Sequence, residues 1–152
     1  MTDSPTLTPR NPRFAESVRD YVSQQGYLGL LGAELARVEP GRVALRVPFR
    51  ADLGQQDGFF HGGVIGSVAE AAMGSAAYSL LVEAGTNVVG SSYRVDLLSP
   101  GIGEALIADC RVVKSGRTLI VCRVDVMVES EPSGDPRLVA IAQGTMVPVP
   151  QR

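Results

Sequence analysis

The chain has 152 residues, 45% of them hydrophobic, which is enough to bury one sizeable core and favours a single domain. Fourteen basic and sixteen acidic side chains give a formal net charge of −2 without a basic block, so the electrostatic footprint of a nucleic-acid-binding protein is missing. One histidine and two cysteines without a C-x-x-C motif argue against a metal site and a disulfide scaffold.

The first thirteen residues are polar and proline-rich, and they lack the apolar segment of a signal peptide. We therefore expect a flexible N-terminal segment at 1–13, a single domain at 14–150 and a cytoplasmic location. The domain is predicted to open with a short amphipathic helix, because Phe14, Val18 and Val22 recur on one helical face.

Two β-rich segments follow, LLGAELARV and RVALRVPF, on either side of EPGR. Pro40 fixes its own φ and Gly41 tolerates a positive φ, so this pattern predicts strand, tight turn and strand. The apolar run at 64–82 is long enough to span a membrane, but it contains Glu70 and many small residues. A core helix of a soluble protein is the better interpretation, and no membrane partner is expected.

Four more alternating segments complete the chain: NVVGSSYRVDLL, EALIADCRVV, TLIVCRVDVMVE and RLVAIAQGTMVPV. Each is predicted to be a strand. If Gly116 stands at the tip of the hairpin between the middle two, Cys110 lies opposite Cys122 on the buried face. The element order predicts an α+β fold in which an antiparallel β-sheet of about six strands wraps around one long central α-helix.

The segment between the second and third predicted strands carries the most specific pattern of the chain. Gln55 stands six residues before His61, Gly58 lies between them, two glycines follow the histidine, and Glu70 comes nine residues after it. Together with YRVDLLSP and KSGRTL, this pattern resembles the hotdog-fold acyl-CoA thioesterases, in the branch of the phenylacetic acid degradation and 4-hydroxybenzoyl-CoA thioesterases. The resemblance extends over about 27–149.

This resemblance implies an enzyme that hydrolyses a CoA thioester to the free acid and CoA. No cofactor is implied, since coenzyme A is part of the substrate. The family pattern further implies a homodimer of two sheets joined edge to edge, usually doubled to a homotetramer, with sites that both subunits complete. An unpaired strand edge is best covered by a second copy of itself, which agrees with this expectation.

The chemistry of the pattern follows from residue types. A helix start presents free N–H groups and a positive dipole end, so we assign the Gly62 N–H to the oxyanion of the reacting carbonyl. Glu70, two turns further on, either activates water as a general base or attacks the carbonyl itself, and the sequence leaves both mechanisms open. By resemblance, His61 fixes the loop or contacts the thioester, and Gln55 orients the carbonyl or the water.

The remaining expected contacts are with coenzyme A and the acyl group. Lys114 and Arg117 at the predicted hairpin tip suit the phosphates, and backbone N–H groups around Gly116 suit the pantetheine arm. The acyl pocket is expected to be lined by residues among Phe59, Phe60, Met73 and Tyr78. The expected substrate-binding set comprises Gly63, Ser91, Ser99, Gly101, Lys114, Gly116, Arg117 and Thr118.

Other interpretations are weaker or remain as alternatives. Glu70 could instead form a buried ion pair with Arg94 or Arg123. A catalytically silent acyl-CoA-binding or sensor protein of the same fold is the main alternative function, and a hotdog hydratase would need a different spacing of its His and acid. An α/β hydrolase would need G-x-S-x-G, which does not occur here.

Overall fold

The structure, a computed structural model, describes residues 7–81, 85–130 and 134–152. The described elements form one antiparallel sheet of six strands in the order β1-β2-β4-β5-β6-β3, with the longest helix against it. The predicted fold class is confirmed. The elements are α1 (Phe14–Ser23), α2 (Gly26–Leu31), β1 (Glu34–Glu39), β2 (Arg42–Pro48), a 3-10 turn (Ala51–Leu53), α3 (Gly62–Leu81), β3 (Thr86–Leu97), β4 (Ala105–Ser115), β5 (Ile120–Glu129) and β6 (Arg137–Pro150).

The helix α3 is the centre of the core, as the sequence predicts. By length and composition alone it could span a membrane, but 72% of its most apolar window is buried inside the fold. Val68, Ala72 and Ala76 have no exposed surface. Small side chains at these positions let the sheet approach the helix closely, so both surfaces leave water together.

The helix α2 replaces part of a predicted strand. The prediction for LLGAELARV is right only from Glu34 onward, because Leu31 and the five residues before it are helical. Leu28 and Leu31 are buried on one side of this helix, at helical rather than strand spacing. Gly32 ends it in the left-handed conformation, with φ 69°, which glycine adopts without strain.

The register predicted for the two cysteines is wrong. Cys110 lies opposite Val124 and Cys122 lies opposite Val112, so each pairing is displaced by two residues. The cause is a β-bulge just after Val112, together with a hairpin turn over 116–119. A displacement of two residues keeps each side chain on its face, so both thiols are still buried.

Among the described strands, β3 forms one edge of the sheet and pairs with β6 alone. Its exposed positions include large hydrophobic side chains, since Val89, Tyr93 and Leu97 are 46%, 50% and 58% exposed. A register shift between Gly90 and Ser92 marks a bulge in this edge. A long apolar edge of this kind is a surface for pairing with another strand.

The N-terminal segment is described only from residue 7, so 1–6 of the predicted flexible segment lies outside the described residues. Leu7 packs against the core, where its Cδ1 approaches Gly41. The N–H of Arg10 donates to the carbonyl oxygen of Leu80 at 3.4 Å. These contacts place the segment over the C-terminal end of α3.

Candidate active site

The helix α3 runs alongside β3, and two glycines allow close contact at the ends of this seam. A Cβ added to Gly62 would lie 2.9 Å from Cδ1 of Leu97. A Cβ added to Gly90 would lie 2.7 Å from Oε1 of Glu70. The start of α3 therefore lies at the C-terminal end of β3, and the carboxylate lies at the bulge near the other end.

The first turn of α3 has one backbone donor without an acceptor among the described residues. Nδ1 of His61 accepts the N–H of Gly63 at 2.9 Å, and the carbonyl oxygen of His61 accepts the N–H groups of Val64 and Ile65 at 2.9 and 3.2 Å. Across the part of the chain that the structure describes, the N–H of Gly62 meets no acceptor. This donor stands at the positive end of a twenty-residue helix, where developing negative charge is stabilised.

Glu70 opens into a cavity of about 460 Å³ between α2, α3 and β3. Burial raises the pKa of its carboxyl above the ordinary value of 4.5. Within 7–81, 85–130 and 134–152 the carboxylate has no hydrogen bond and no ion pair, since Arg94 pairs with Asp96 and Arg123 with Asp125. The lining comprises Gln25, Tyr27, Leu28, Ser67, Glu70, Ala71, Gly90, Ser91, Ser92 and Tyr93.

The amide of Gln55 is engaged in a turn of its own. Oε1 accepts the N–H of Asp57, and Nε2 donates to Oδ2 of Asp57 at 3.3 Å. The N–H of Gly58 donates to the carbonyl oxygen of Gln55 at 3.1 Å, and Gly58 has a φ of 82° that glycine adopts without strain. In the isolated chain Gln55 therefore orders the loop before His61.

The loop after β3 packs against the same region. Oγ of Ser99 accepts a hydrogen bond from the Arg137 guanidinium at 2.7 Å. The N–H of Phe60 donates to the carbonyl oxygen of Gly101 at 3.1 Å. Gly101 is buried, and a Cβ there would lie 3.1 Å from Cβ of Phe60, so this glycine allows the two loops to pack.

The KSGRT turn lies at the Glu70 end of the sheet. Ser115 pairs with Ile120, Ile120 with Met146, and Met146 with Gly90, which stands beside Glu70. The N–H of Gly116 donates to the carbonyl oxygen of Leu119 at 2.9 Å, so a pantetheine arm in the predicted position would have to use the neighbouring N–H groups. The turn closes on itself through this bond, and the side chains of Lys114, Ser115, Arg117 and Thr118 are exposed.

The predicted site residues thus form two groups within one chain. The separation along α3 between Gly62 and Glu70 is about 12 Å, from a rise of about 1.5 Å per residue. The group at the helix start comprises Gln55, His61, Gly62, Gly63, Ser99 and Gly101, and the group at the carboxylate end comprises Glu70, Ser91, Lys114, Gly116, Arg117 and Thr118.

The four residues expected to line the acyl pocket lie outside the Glu70 cavity of the single chain. Phe60 and Met73 are buried in the core, and Tyr78 stacks on Tyr21 with ring centroids 4.2 Å apart. None of the four candidates, Phe59 included, lines the Glu70 cavity.

Sequence reasoning missed the walls of the cavity. Gln25 and Tyr27 were overlooked because no helix was predicted between α1 and the first strand. Gly32 directly after two leucines is the signal that could have marked a helix end. Gly90 was overlooked as well, although an isolated glycine inside a strand often marks a close approach of another group.

No three His, Cys, Asp or Glu side chains among 7–81, 85–130 and 134–152 come together as a group that could hold a metal ion.

Comparison with known proteins agrees with this geometry. A family model described as the thioesterase superfamily matches residues 57–134. A crystal structure of a thioesterase family protein from Silicibacter pomeroyi is 34% identical, with a TM-score of 0.86, over 91% of this chain and 99% of that one. A protein of Halobacterium salinarum with a provisional esterase name is 31% identical over 86% of this chain and 89% of its own length.

A third comparison concerns the fold alone. The PaaI protein of Escherichia coli, from the phenylacetic acid degradation operon, is 20% identical with a TM-score of 0.78, over 90% of this chain and 94% of that one. The chain belongs to the thioesterase superfamily. It has the hotdog fold, and it is a thioester hydrolase, as the resemblance implies.

Proposed function

We propose that the chain hydrolyses acyl-CoA thioesters in the cytoplasm, with Glu70 as the reacting carboxylate and the Gly62 N–H as the oxyanion donor. The observation that carries this proposal is the pair of unsatisfied groups along the α3–β3 seam. One is a backbone donor at a helix start, and the other is a partly desolvated carboxylate that pairs with no cation among the described residues. A thioester carbonyl needs both an electrophilic donor at its oxygen and a base or nucleophile at its carbon.

The reaction has two routes that this geometry supports equally. In the first, Glu70 takes a proton from water while the water oxygen attacks the thioester carbon, and the C–S bond then breaks. In the second, the carboxylate attacks the carbon itself, expels the thiolate, and leaves a mixed anhydride that water hydrolyses. The departing thiol has a pKa near about 8.5, so neither route needs a strong acid at the sulfur.

We further propose that two subunits complete each site through their β3 edges. Antiparallel pairing of two β3 strands sets the Gly90 end of one against the Leu97 end of the other. Because Glu70 lies at Gly90 and Gly62 lies at Leu97, the carboxylate of one subunit then approaches the helix start of its neighbour. The exposed apolar side chains of β3 and the distance between Gly62 and Glu70 within one chain both favour this homodimer.

Coenzyme A is proposed to lie across the carboxylate end of the sheet. Lys114 and Arg117 lie on the exposed turn at this end of the sheet, and their charges suit the phosphates of coenzyme A. The exposed hydroxyl of Thr118 lies on the same turn and can donate a hydrogen bond to the cofactor portion. Ser91 stands at the bulge and lines the Glu70 cavity, where it can hold a water molecule. We also propose that two such dimers associate into a homotetramer.

The test is incubation of the purified chain with a panel of acyl-CoA esters and a thiol-trapping dye. We expect release of free CoA from at least one ester, and a loss of release in Glu70→Gln of about a hundredfold or more. If several esters raise the melting temperature but none releases CoA, the chain is a catalytically silent acyl-CoA-binding protein and this proposal is wrong. Loss of ester binding in Glu70→Gln would instead assign the carboxylate to binding.

A further inference from the structure

The Glu70 cavity is closed on one side by α2, a helix with little intrinsic stability. Two of its six residues are Gly26 and Gly29, and a Cβ at either position would meet no atom within 4 Å. The helix α2 is stabilised by contacts with other parts of the chain. Leu31 is buried, and the Arg50 guanidinium donates to the carbonyl oxygens of Leu30 and Leu31 at 2.9 and 3.1 Å. The wall is therefore fixed by tertiary contacts at its C-terminal end.

Tyr27 lines the cavity from this helix and is fixed through its hydroxyl. The hydroxyl donates to Oγ of Ser67 at 2.9 Å, and the Ser67 hydroxyl donates to the carbonyl oxygen of Gly63 at 2.7 Å. Tyr27 is 52% exposed, so packing alone does not fix its ring. The hydrogen bond to Ser67 restrains the position of the ring. Ser67 lies one helical turn before Glu70, which places the Tyr27 ring next to the reacting carboxylate.

A second ring borders the cavity from the sheet. Tyr93 on β3 is 50% exposed, and its Cε2 lies 3.9 Å from where a Cβ on Gly66 would stand. Tyr27 and Tyr93 therefore border the cavity from α2 and β3, while α3 forms its base. At about 460 Å³ the cavity is within the range of small-molecule sites.

We propose that Tyr27 determines which acyl groups the enzyme accepts. Its hydrogen-bonded ring limits the space beside Glu70 to short chains and single rings, and long fatty acyl chains are excluded. This inference rests on the proposed function, because it requires the acyl group of a CoA thioester to occupy the Glu70 cavity. A long chain can pass only if the Tyr27 ring swings out, which breaks the hydrogen bond to Ser67.

The experiment compares kcat/KM for acetyl-, hexanoyl-, phenylacetyl- and dodecanoyl-CoA in the wild type and two Tyr27 variants. The wild type is expected to favour hexanoyl- and phenylacetyl-CoA over dodecanoyl-CoA by about tenfold or more. Tyr27→Ala opens the wall and is expected to reduce this preference by about tenfold. Tyr27→Trp fills more of the cavity and is expected to shift the preference toward acetyl-CoA.

Two further variants separate specificity from folding. Leu30→Ala changes an exposed residue of the same helix that does not line the cavity. It should leave the ratios of kcat/KM between the four esters unchanged. Tyr27→Phe keeps the ring but removes the hydroxyl, and it should raise the relative rate with dodecanoyl-CoA. Melting temperatures of all variants show whether the domain as a whole is still folded.

The outcomes distinguish this inference from the function on which it rests. Ratios in Tyr27→Ala within about twofold of the wild type would overturn the role of Tyr27 while hydrolysis of acyl-CoA stands. The same holds if the wild type cleaves dodecanoyl-CoA as fast as phenylacetyl-CoA, or if Tyr27→Ala slows all four esters equally. A wild type that cleaves none of the four, although they bind, would overturn the proposed function and this inference together.

Discussion

The imidazole of His61 caps the central helix by accepting the backbone N–H of Gly63 on Nδ1 at 2.9 Å. A helix start has several N–H groups without intrahelical partners, and this side chain satisfies one of them. The neighbouring N–H of Gly62 is then the donor left over for an incoming carbonyl. The single histidine of the chain can therefore serve the reaction without touching the substrate.

Replacement of this cap gives the first prediction. His61→Ala should lower kcat by about tenfold and stability by roughly 1 kcal/mol, because the first turn of α3 loses a capping bond and the Gly62 N–H is held less firmly. His61→Asn keeps a short acceptor at the cap and should recover most of both losses. Steady-state kinetics and thermal unfolding measure the two effects. If the Asn variant is as slow as the Ala variant, the imidazole itself contacts the thioester.

The oxyanion role of Gly62 is tested by a matched pair of substitutions. Gly62→Pro removes the N–H, and proline is well tolerated at the first position of a helix. Gly62→Ala keeps the N–H but brings in the same Cβ contact with the flexible end of Leu97. We expect kcat to fall about a hundredfold to a thousandfold for the proline variant and far less for the alanine variant. Equal losses would assign the effect to the Leu97 contact.

The same proline variant decides whether the site is shared between subunits. Glu70→Gln and Gly62→Pro chains are mixed, dissociated and allowed to re-form dimers. If one subunit supplies the carboxylate and the other the donor, the mixture should regain roughly a quarter of the wild-type activity, since half of the dimers are mixed and each of these has one intact site. Two inactive chains that stay inactive together would place both groups in a single subunit.

The sequence predicted the central helix well because the features that define it are local. A long run of small and apolar residues with one carboxylate, preceded by His61 and two glycines, defines α3 and the group at its start without information from elsewhere. Spacing along a helix also gives the face on which Glu70 lies. The structure confirms α3 as a core helix, with Glu70 facing a cavity.

Features that depend on distant contacts could not be predicted. The helix α2 is held by Arg50 and by the Tyr27–Ser67 hydrogen bond, and its glycine-rich sequence has little helical tendency of its own. The hairpin register depends on a bulge after Val112, whose neighbours have the same β-rich character as the rest of the strand. One local feature was also missed: Gln55 matches the family spacing, but its amide contacts Asp57 within its own turn.

Burial of Glu70 makes a prediction about pH. The carboxyl has a higher pKa in the folded chain than its ordinary value of 4.5, because burial disfavours the charged form. Activity should fall as pH drops, with a midpoint above 4.5, since the reaction needs the ionised carboxylate. An activity profile with its midpoint at or below the ordinary value would contradict a desolvated carboxylate.

The raised pKa of Glu70 affects stability in the opposite direction: activity should rise with pH, but stability should fall. The folded chain binds the Glu70 proton more tightly than the unfolded chain, so the stability that the neutral carboxyl contributes is lost as pH rises above 4.5. Glu70→Gln keeps a neutral side chain of nearly the same shape. Its melting temperature should exceed that of the wild type at neutral pH, and the gap should close in acid. Thermal scans of both proteins across this pH range measure the difference.

The burial of the two thiols predicts how they react in the folded protein. Cys110 and Cys122 have no exposed surface, and burial, followed by contact with the Cys122 thiol, raises the pKa of the Cys110 thiol. A thiolate is the reactive species, so the folded protein should not react with a disulfide reagent while the unfolded protein releases two equivalents per chain. Cys110→Ala should release one equivalent when unfolded and none when folded. Rapid reaction of one native thiol would mean that the β4–β5 hairpin opens locally, away from α3, without unfolding of the whole domain.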